Sequence, residues 1–264
     1  MRIATWNVNS LKARLPRVLG WLEEAAPDVL LMQETKLADE AAPLLDFRMA
    51  GYEIAHHGEG RWNGVAVASR VGLAEVRAGF GSDPGGAVEG VDRQPEARFI
   101  SAQCGPVRVA SAYAPNGREV GSEFYEAKLE WFAGLLTWLR SQAVPGEPLV
   151  LGGDLNVAPT DLDVWDPSAY AGATHVSGPE RSAFAGLIGW GLIDAYRLHH
   201  PEGGRFSWWD YRAGSFHKGM GMRIDHLLVT ASLAERCIAA GIDRNARKGP
   251  GPSDHAPVWI DLDL

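Results

Sequence analysis

The chain has 264 residues, 46% of them hydrophobic, with 25 basic and 33 acidic side chains and a formal net charge of −8. That length can bury a substantial core, as one large domain or two small ones. The acidity excludes a general basic coat for nucleic acid, so any polyanion must be met by a local patch. No apolar run reaches membrane-spanning length. The first residues, Met1-Arg2-Ile3-Ala4-Thr5-Trp6, pass straight into a strand pattern without a signal peptide, which points to the cytoplasm. Cys104 and Cys237 lie far apart and in no metal-ligand spacing, so they read as reduced, buried thiols.

In chain order, residues 2–8 alternate as a strand. Leu11, Leu15, Val18, Leu19 and Leu22 give helical spacing over 11–25, with Pro16 expected to mark the true first turn. Pro27-Asp28 breaks that helix, and Val29-Leu30-Leu31-Met32 reads as a buried strand ending at Glu34. A weaker helix near 38–47 precedes strands near 52–57, 64–69 and 73–77. The stretch 79–95 is rich in Gly, Pro and charge and reads as a loop. Strands near 97–103 and 106–113 follow, hinged at Gly105-Pro106. Residues 121–143 form the longest helix, its core stripe drawn through Phe124, Leu129, Phe132, Leu135, Leu136 and Leu139. Leu149-Val150-Leu151 leads to Asp154, residues 157–180 are irregular, and a helix near 180–190 ends at Gly191. Strands near 204–209, 223–229, 236–242 and 257–262 complete the chain. With no linker and no repeat, the pattern predicts one α/β sandwich domain over 1–264, two packed sheets with helices outside.

Polar groups cluster where apolar runs end. Asn7 and Asn9 close the first strand, Glu34 the second, and Tyr113 the run before Ala114-Pro115-Asn116-Gly117. Asp154 and Asn156 follow a third, and Asp225 and Asp254-His255 lie near the end of the chain. Each alone has a bland explanation, such as an Asx turn after a strand or a solvated terminal acid. Together they hold the groups phosphodiester hydrolysis needs. Glu34, with Asn7 beside it, can hold magnesium, which takes one or two carboxylates and waters. His255 can act as a base or as an electrophile to the phosphate, with Asp225 fixing its tautomer, Asp154 can orient or deprotonate water, and Asn156, Tyr113 and His255 can donate hydrogen bonds to a phosphoryl group. The chain contains no serine-hydrolase elbow, Walker loop or zinc-helix motif. His56, His57, His199 and His200 occur as exposed-looking pairs, His175 and His217 lie in loops with His217 a candidate phosphate contact, and His226 alternates away from Asp225 into packing.

Read in order, Trp6-Asn7-Val8-Asn9-Ser10-Leu11, Gln33-Glu34-Thr35-Lys36, Tyr113-Ala114-Pro115-Asn116-Gly117, Gly153-Asp154-Leu155-Asn156, Ser207-Trp208-Trp209-Asp210-Tyr211-Arg212, Arg223-Ile224-Asp225 and Ser253-Asp254-His255-Ala256-Pro257 resemble the exonuclease III family of abasic-site endonucleases, within the exonuclease–endonuclease–phosphatase superfamily. The resemblance implies a four-layer α/β sandwich, two mixed sheets face to face and flanked by helices. It implies a metal site at Asn7 and Glu34, with Asp254 an acid near metal and histidine, and Mg2+ as the ion, Mn2+ being the alternative. Asp154 matches the water-activating aspartate, Asn156 and Tyr113 the phosphate-orienting residues, and Asp225 with His255 the aspartate–histidine pair. One position departs: Gly219 stands where the family usually has an asparagine that helps hold the substrate backbone. Met222 lies where relatives often place a bulky wall of the abasic pocket.

The implied partner is double-stranded DNA with abasic sites or blocked 3′ ends, met by a monomer with no membrane role. Candidate DNA contacts are Asn9, Lys12, Arg14, Lys36, Asn116, Trp208, Arg212, Lys218 and Met222, with Arg118 a further candidate phosphate contact and Arg61 and Arg93 favoured as solvated surface charges. Trp208, Trp209 and Tyr211 are candidates for a pocket floor, at least one of them plain core. The implied reaction is cleavage 5′ of abasic sites, with 3′-end cleaning and 3′-to-5′ exonuclease action. Phosphoesterases of lipid or inositol phosphates share the superfamily core, but the Trp-rich segment and the lack of a membrane-directed segment count against them. A non-catalytic relative would lack Glu34, Asp154, Asp225 or His255, and all four are present.

Overall fold

Val29-Leu30-Leu31-Met32 is apolar at every position, so a strand made from it must be covered on both faces. The computed structural model describes residues 1–81 and 96–264, and supplies both covers. The loop expected over 79–95 lies, from residue 82 onward, outside the described residues, as does Arg93. The elements are β1 (Arg2–Asn7), α1 (Leu11–Ala25), β2 (Val29–Gln33), α2 (Leu44–Met49), β3 (Glu53–His57), β4 (Val65–Ser69), β5 (Ala74–Ala78), β6 (Phe99–Cys104), β7 (Val107–Tyr113) and α3 (Glu123–Gln142). They continue with β8 (Leu149–Asp154), α4 (Gly178–Trp190), β9 (Leu192–Asp194), α5 (Ala195–His199), α6 (Ser215–Lys218), β10 (Asp225–Thr230), α7 (Ala231–Ala234), β11 (Cys237–Ile242) and β12 (Val258–Leu262).

The strands form two six-stranded sheets, ordered β11-β12-β1-β2-β4-β3 and β5-β6-β7-β8-β10-β9. Each is mixed: β1 pairs parallel with β2 and β7 with β8, and the other pairings are antiparallel. Alternation assigns every apolar side chain a layer. Ile3, Leu31 and Val67 point inward against Val109, Val150 and Leu227 of the second sheet. Trp6, Leu30 and Met32 point outward under Val18 and Leu22 of α1 and Phe47 of α2. On the opposite outer face Ala110, Leu151 and Leu228 meet Phe132, Leu135 and Leu139 of α3 and Phe184 and Leu187 of α4. The result is the expected four-layer sandwich. Close approach of the sheets needs Gly152, where a Cβ would lie 2.6 Å from Leu31 Cδ1 and 2.7 Å from Leu227 Cδ2.

Several local expectations are corrected. Helix α1 starts at Leu11, capped by Ser10, whose side chain accepts from Ala13 N, so Pro16 lies inside the helix and not in its first turn. Pro43 splits the 38–47 segment into a 3₁₀ turn at Asp39–Ala41 and the short α2. The stretch 204–209 forms no strand, only isolated bridges of Trp208 to Met222 and His255. The buried stripe of α3 runs through Tyr125, Lys128, Phe132, Leu135, Trp138 and Leu139, while Phe124 is exposed beneath Arg118. The irregular 157–180 stretch contains two 3₁₀ turns, and the 213–222 segment contains α6.

Candidate active site

Strands β1, β2, β7 and β8 all end at the same edge of the sandwich, and antiparallel β10 begins there. Their register sets Asn7 beside Gln33, Tyr113 beside Asp154, and Asp154 beside Asp225. Sheet pairing thus brings residues separated by two hundred positions into one cleft. Between the sheets, Gln33 Nε2 donates to Thr5 Oγ1 at 3.0 Å and to Ser111 Oγ at 2.9 Å, and Ser111 Oγ donates to the Met32 carbonyl at 2.9 Å. This buried polar seam ties β1, β2 and β7 together directly behind the site.

Asn7, fully buried, links the two sheets at the cleft itself: its Nδ2 donates to Glu34 Oε1 at 2.8 Å and to Asp154 Oδ2 at 2.9 Å. Its Oδ1 accepts from Asn9 N at 3.0 Å. His255 is held from both ends. Trp6 Nε1 donates to the His255 carbonyl at 3.1 Å, and Ser253 Oγ accepts from His255 N while donating to the Asn7 carbonyl at 2.7 Å. The serine of Ser-Asp-His therefore clamps the histidine to β1. The imidazole Nδ1 donates to Asp225 at 2.9 Å, leaving Nε2 3.8 Å from Asp154 Oδ2. Asn9, Glu34, Lys36 and Asn156 all have left-handed backbone, with φ of 43, 51, 53 and 51°. Such angles are unfavourable for residues with a Cβ, most of all for Glu and Lys, and are a form of strain that gathers at functional sites.

Electrostatics separate the roles of the acids. Burial pushes Asp154 up to about 7, with Asp225 and Glu34 adding to the rise against His255 and the Asn7 amide. Burial opposes charge on His255 as well, but Asp225 first and Asp154 next overcome it and raise its pKa to about 10. Burial also pushes Asp254 up, but His255, Asn9 and Trp208 outweigh it and leave the carboxyl below its ordinary value. Burial, reinforced by Glu34, raises Tyr113 well above a free phenol, so it keeps its proton.

Ligand atoms of Glu34, Asp154 and His255 lie within 4.8 Å of one another. With His255 protonated beside Asp225, the oxygens of Glu34 and Asp154 are the donors a hard divalent cation takes, so the residues fit an ion of the magnesium type. Asp254, expected near the metal, stands outside that group: Oδ1 accepts from Asn9 Nδ2 at 2.9 Å and Oδ2 from Trp208 Nε1 at 3.1 Å.

The candidate DNA contacts divide. Lys36 turns into the site, its Nζ 2.8 Å from Glu34 Oε2 and 2.7 Å from Asn9 Oδ1. Arg14 donates to the Asn9 carbonyl and, at 3.2 Å, to Tyr211 Oη. Lys12, Asn116, Arg212 and Lys218 are exposed, and Trp208 is half-buried above Asp254. Met222 is a correction. It is fully buried with Ala158, Val164, Ile224 and Trp208, because the chain pairs it with Trp208 on one side and Val164 on the other. It packs under Trp208 and presents no surface to DNA. Of the three aromatic residues, Trp209 is the core one and Tyr211 is exposed.

The histidine pairs are also less exposed than expected. His56 bridges Thr35 Oγ1 at 2.8 Å and Asp39 Oδ1 at 2.7 Å, and His199 and His200 bond the carbonyls of Cys237 and Ala240. His226 packs as expected, with Nε2 2.9 Å from the Val157 carbonyl. Sequence reasoning missed a buried network behind the site. Lys128 Nζ donates to the Asn156 carbonyl at 2.7 Å and the Asn116 carbonyl at 3.3 Å, and pairs with Glu180. His175 Nδ1 donates to the same Asn156 carbonyl at 2.6 Å, and its N–H donates to Glu180 Oε1 at 2.9 Å. The signals were a lysine on the apolar stripe of α3 and the Ser177-x-x-Glu180 capping box.

The endonuclease/exonuclease/phosphatase family model matches residues 4–255. Exodeoxyribonuclease III of Haemophilus influenzae is 33% identical over 273 residues, covering 99% of this chain and all of the relative. An AP endonuclease from Archaeoglobus fulgidus superposes with a TM-score of 0.94 at 35% identity over the whole of both chains. A 3′ phosphatase from Neisseria, solved bound to product DNA hairpin, gives 0.94 at 37% identity, again over the whole of both. The chain belongs to the endonuclease/exonuclease/phosphatase family, in its exonuclease III branch.

Proposed function

We propose that this nuclease hydrolyses the backbone of duplex DNA 5′ of abasic sites, cleans blocked 3′ ends, and degrades duplexes from 3′ to 5′, using Mg2+ with Mn2+ as a substitute. The observation that carries the reading is the convergence, at one edge of two sheets, of Glu34, Asp154 and an Asp225–His255 pair joined by the Asn7 amide. The reading includes one domain over 1–264, acting as a cytoplasmic monomer.

The residues divide the reaction as follows. Glu34 and Asp154 would hold the divalent cation, which when bound neutralises charge on the phosphoryl oxygens. Asp154, buried and 3.8 Å from His255 Nε2, takes the proton as water oxygen attacks phosphorus. His255, kept charged by Asp225, directs Nε2 at a non-bridging oxygen and stabilises the charge that grows there. Tyr113 keeps a phenolic proton to donate. Asn156 is fixed by donating Nδ2 to the Ala114 carbonyl and N to Asp154 Oδ1. The bond to the 3′ oxygen breaks, and that oxygen leaves as a 3′ hydroxyl after taking a proton.

The test is an end-labelled duplex carrying one stable abasic analogue, incubated with magnesium and with chelator. A single metal-dependent cut 5′ of the lesion is expected. A ladder from the 3′ end without an internal cut would restrict the activity to exonuclease and end cleaning. No cleavage of either kind would overturn the reading.

A further inference from the structure

A cleft of about 290 Å³ opens beside the active site, between α6 and the 247–252 loop. Arg247 forms part of its wall. Its guanidinium carbon lies 5.2 Å from the centre of the Tyr211 ring and 5.0 Å from that of Phe216. Arg247 Nη2 donates to the Trp209 carbonyl at 3.2 Å, Nε has no partner among the described residues, and the residue is 6% exposed. His217 and Lys248 stand exposed at the rim, and neither side chain makes a hydrogen bond among the described residues. Arg212 and Lys218 adjoin the wall residues Tyr211 and His217 in sequence, and Arg244 lies 4.3 Å over Phe216 and donates Nη2 to its carbonyl at 2.7 Å. The one acid in the wall, Asp210, is engaged in capping Arg212 N at 2.8 Å. In a chain of net charge −8, this gathering of cations is the local patch that a polyanion requires.

The cleft is continuous with the catalytic edge. Tyr211 Oη donates to the Pro252 carbonyl at 2.8 Å and lies 3.4 Å from Asn9 Nδ2, whose amide also holds Asp254. Arg17 fixes the other wall by donating to the carbonyls of Ala246, Lys248 and Pro250. Cations beside aromatic faces are the chemistry that receives a sugar–phosphate backbone with its neighbouring ring.

We propose that this cleft is a second phosphate subsite, taking one backbone phosphate and adjoining sugar of the DNA that flanks the scissile bond. It rests on the DNA-nuclease reading above. Lys248 supplies the mobile charge, His217 a ring nitrogen to hydrogen-bond the backbone, and Arg247 holds Tyr211 and Phe216 apart as the floor.

The experiment measures duplex binding by fluorescence anisotropy with chelator present, between 50 and 200 mM salt. Lys248→Gln is compared with Arg48→Gln, which removes an equal charge on α2, packed beside edge strand β3, and His217→Gln with wild type. Arg247→Met is tested separately, since it is buried and its loss can unfold the loop. Loss of one phosphate contact lowers the salt slope by about 0.9, so the Lys248→Gln defect should shrink about 3.5-fold across that salt range. At saturating DNA, kcat should be unchanged. Trimming the duplex from either end should erase the defect at one particular length. A slope equal to that of wild type or of Arg48→Gln, or a defect that persists on the shortest duplex, would overturn the subsite. So would inorganic phosphate perturbing His217 while the DNA slope stays fixed. Wild-type protein that binds DNA in a Lys248-dependent way yet cleaves none would sink the nuclease reading and leave the subsite standing.

Discussion

Replacing Lys128 by methionine tests the network behind the site. Its ammonium is fully buried and serves two carbonyls and Glu180. Methionine fills the stem but leaves the Asn156 carbonyl with His175 alone and strands the Glu180 carboxylate. Breaking a buried pair from one side costs about 3–5 kcal/mol, because the surviving charge is left in low dielectric. At about 2–4 °C per kcal/mol for a chain of about this size, Tm should fall by about 6–20 °C. Glu180 keeps Thr174 Oγ1, His175 N and the Ser177 cap as donors, which places the loss toward the lower end. Adding Glu180→Gln removes the stranded charge, so the double variant should recover about 1–2 kcal/mol of the single variant's loss. Urea unfolding and calorimetry of the two singles and the double supply the cycle. The surviving folded fraction should show reduced kcat, since Lys128 joins the segments carrying Asn116 and Asn156. A cost below about 1 kcal/mol, or a double variant no more stable than Lys128→Met, would refute the reasoning.

Asp154→Asn should abolish turnover, since the new amide is a poorer ligand for the cation and cannot take the proton, and should leave DNA affinity measured with chelator within about twofold; unchanged kcat would remove Asp154 from the reaction. Gly219→Asn should tighten DNA binding. Its φ of +69° is one that asparagine tolerates best after glycine, and an added Cβ meets nothing within 4 Å, so an unaltered Kd would mean that the missing donor does not matter. Stability should fall as pH drops from about 6.5 toward 4. Burial lowers His175 and His226 to about 4, so the unfolded chain binds two more protons in that window, while Asp154 at about 7 binds one more in the folded chain. From these three groups the balance is one proton in favour of the unfolded state. His255, raised to about 10, stays charged in the folded chain and opposes the decline only near about 6.5, where the unfolded imidazole is still gaining its proton. His226→Gln should flatten the decline in urea midpoint, and an unchanged pH dependence would remove its burial as the cause.

Much of the site was legible because each residue sits where an apolar run stops. Asn7, Glu34, Tyr113 and Asp154 follow strands whose alternation fixed their faces, and the register then brought them together. Asp254 and Met222 were harder, because their placement depends on the irregular 204–224 segment, where isolated bridges and not a strand period decide which side chain faces inward. Pro16 misled because a helix start is set by capping as well as by proline, and Ser10 offered the cap. Lys128 was legible only as a polar residue on an apolar stripe. Its carbonyl partners, Asn116 and Asn156, come from loops fixed by tertiary packing that no local pattern announces, and only Glu180, in the capping box of α4, leaves a local signal. The short elements β9, α5 and α7 left no period long enough to count.

Strand β1 lies between β2 and β12, and its Arg2–Thr5 segment pairs with Val258–Asp261. During synthesis one edge of β1 therefore stays open until almost all the intervening chain has been made, and His255 arrives with the strand that closes it. A nascent chain holds Glu34 and Asp154 long before it holds the imidazole clamped by Trp6 and Ser253. On the mechanism proposed above, a partial chain without His255 lacks the group that stabilises charge on the phosphoryl oxygen, and its open strand edge is an aggregation risk.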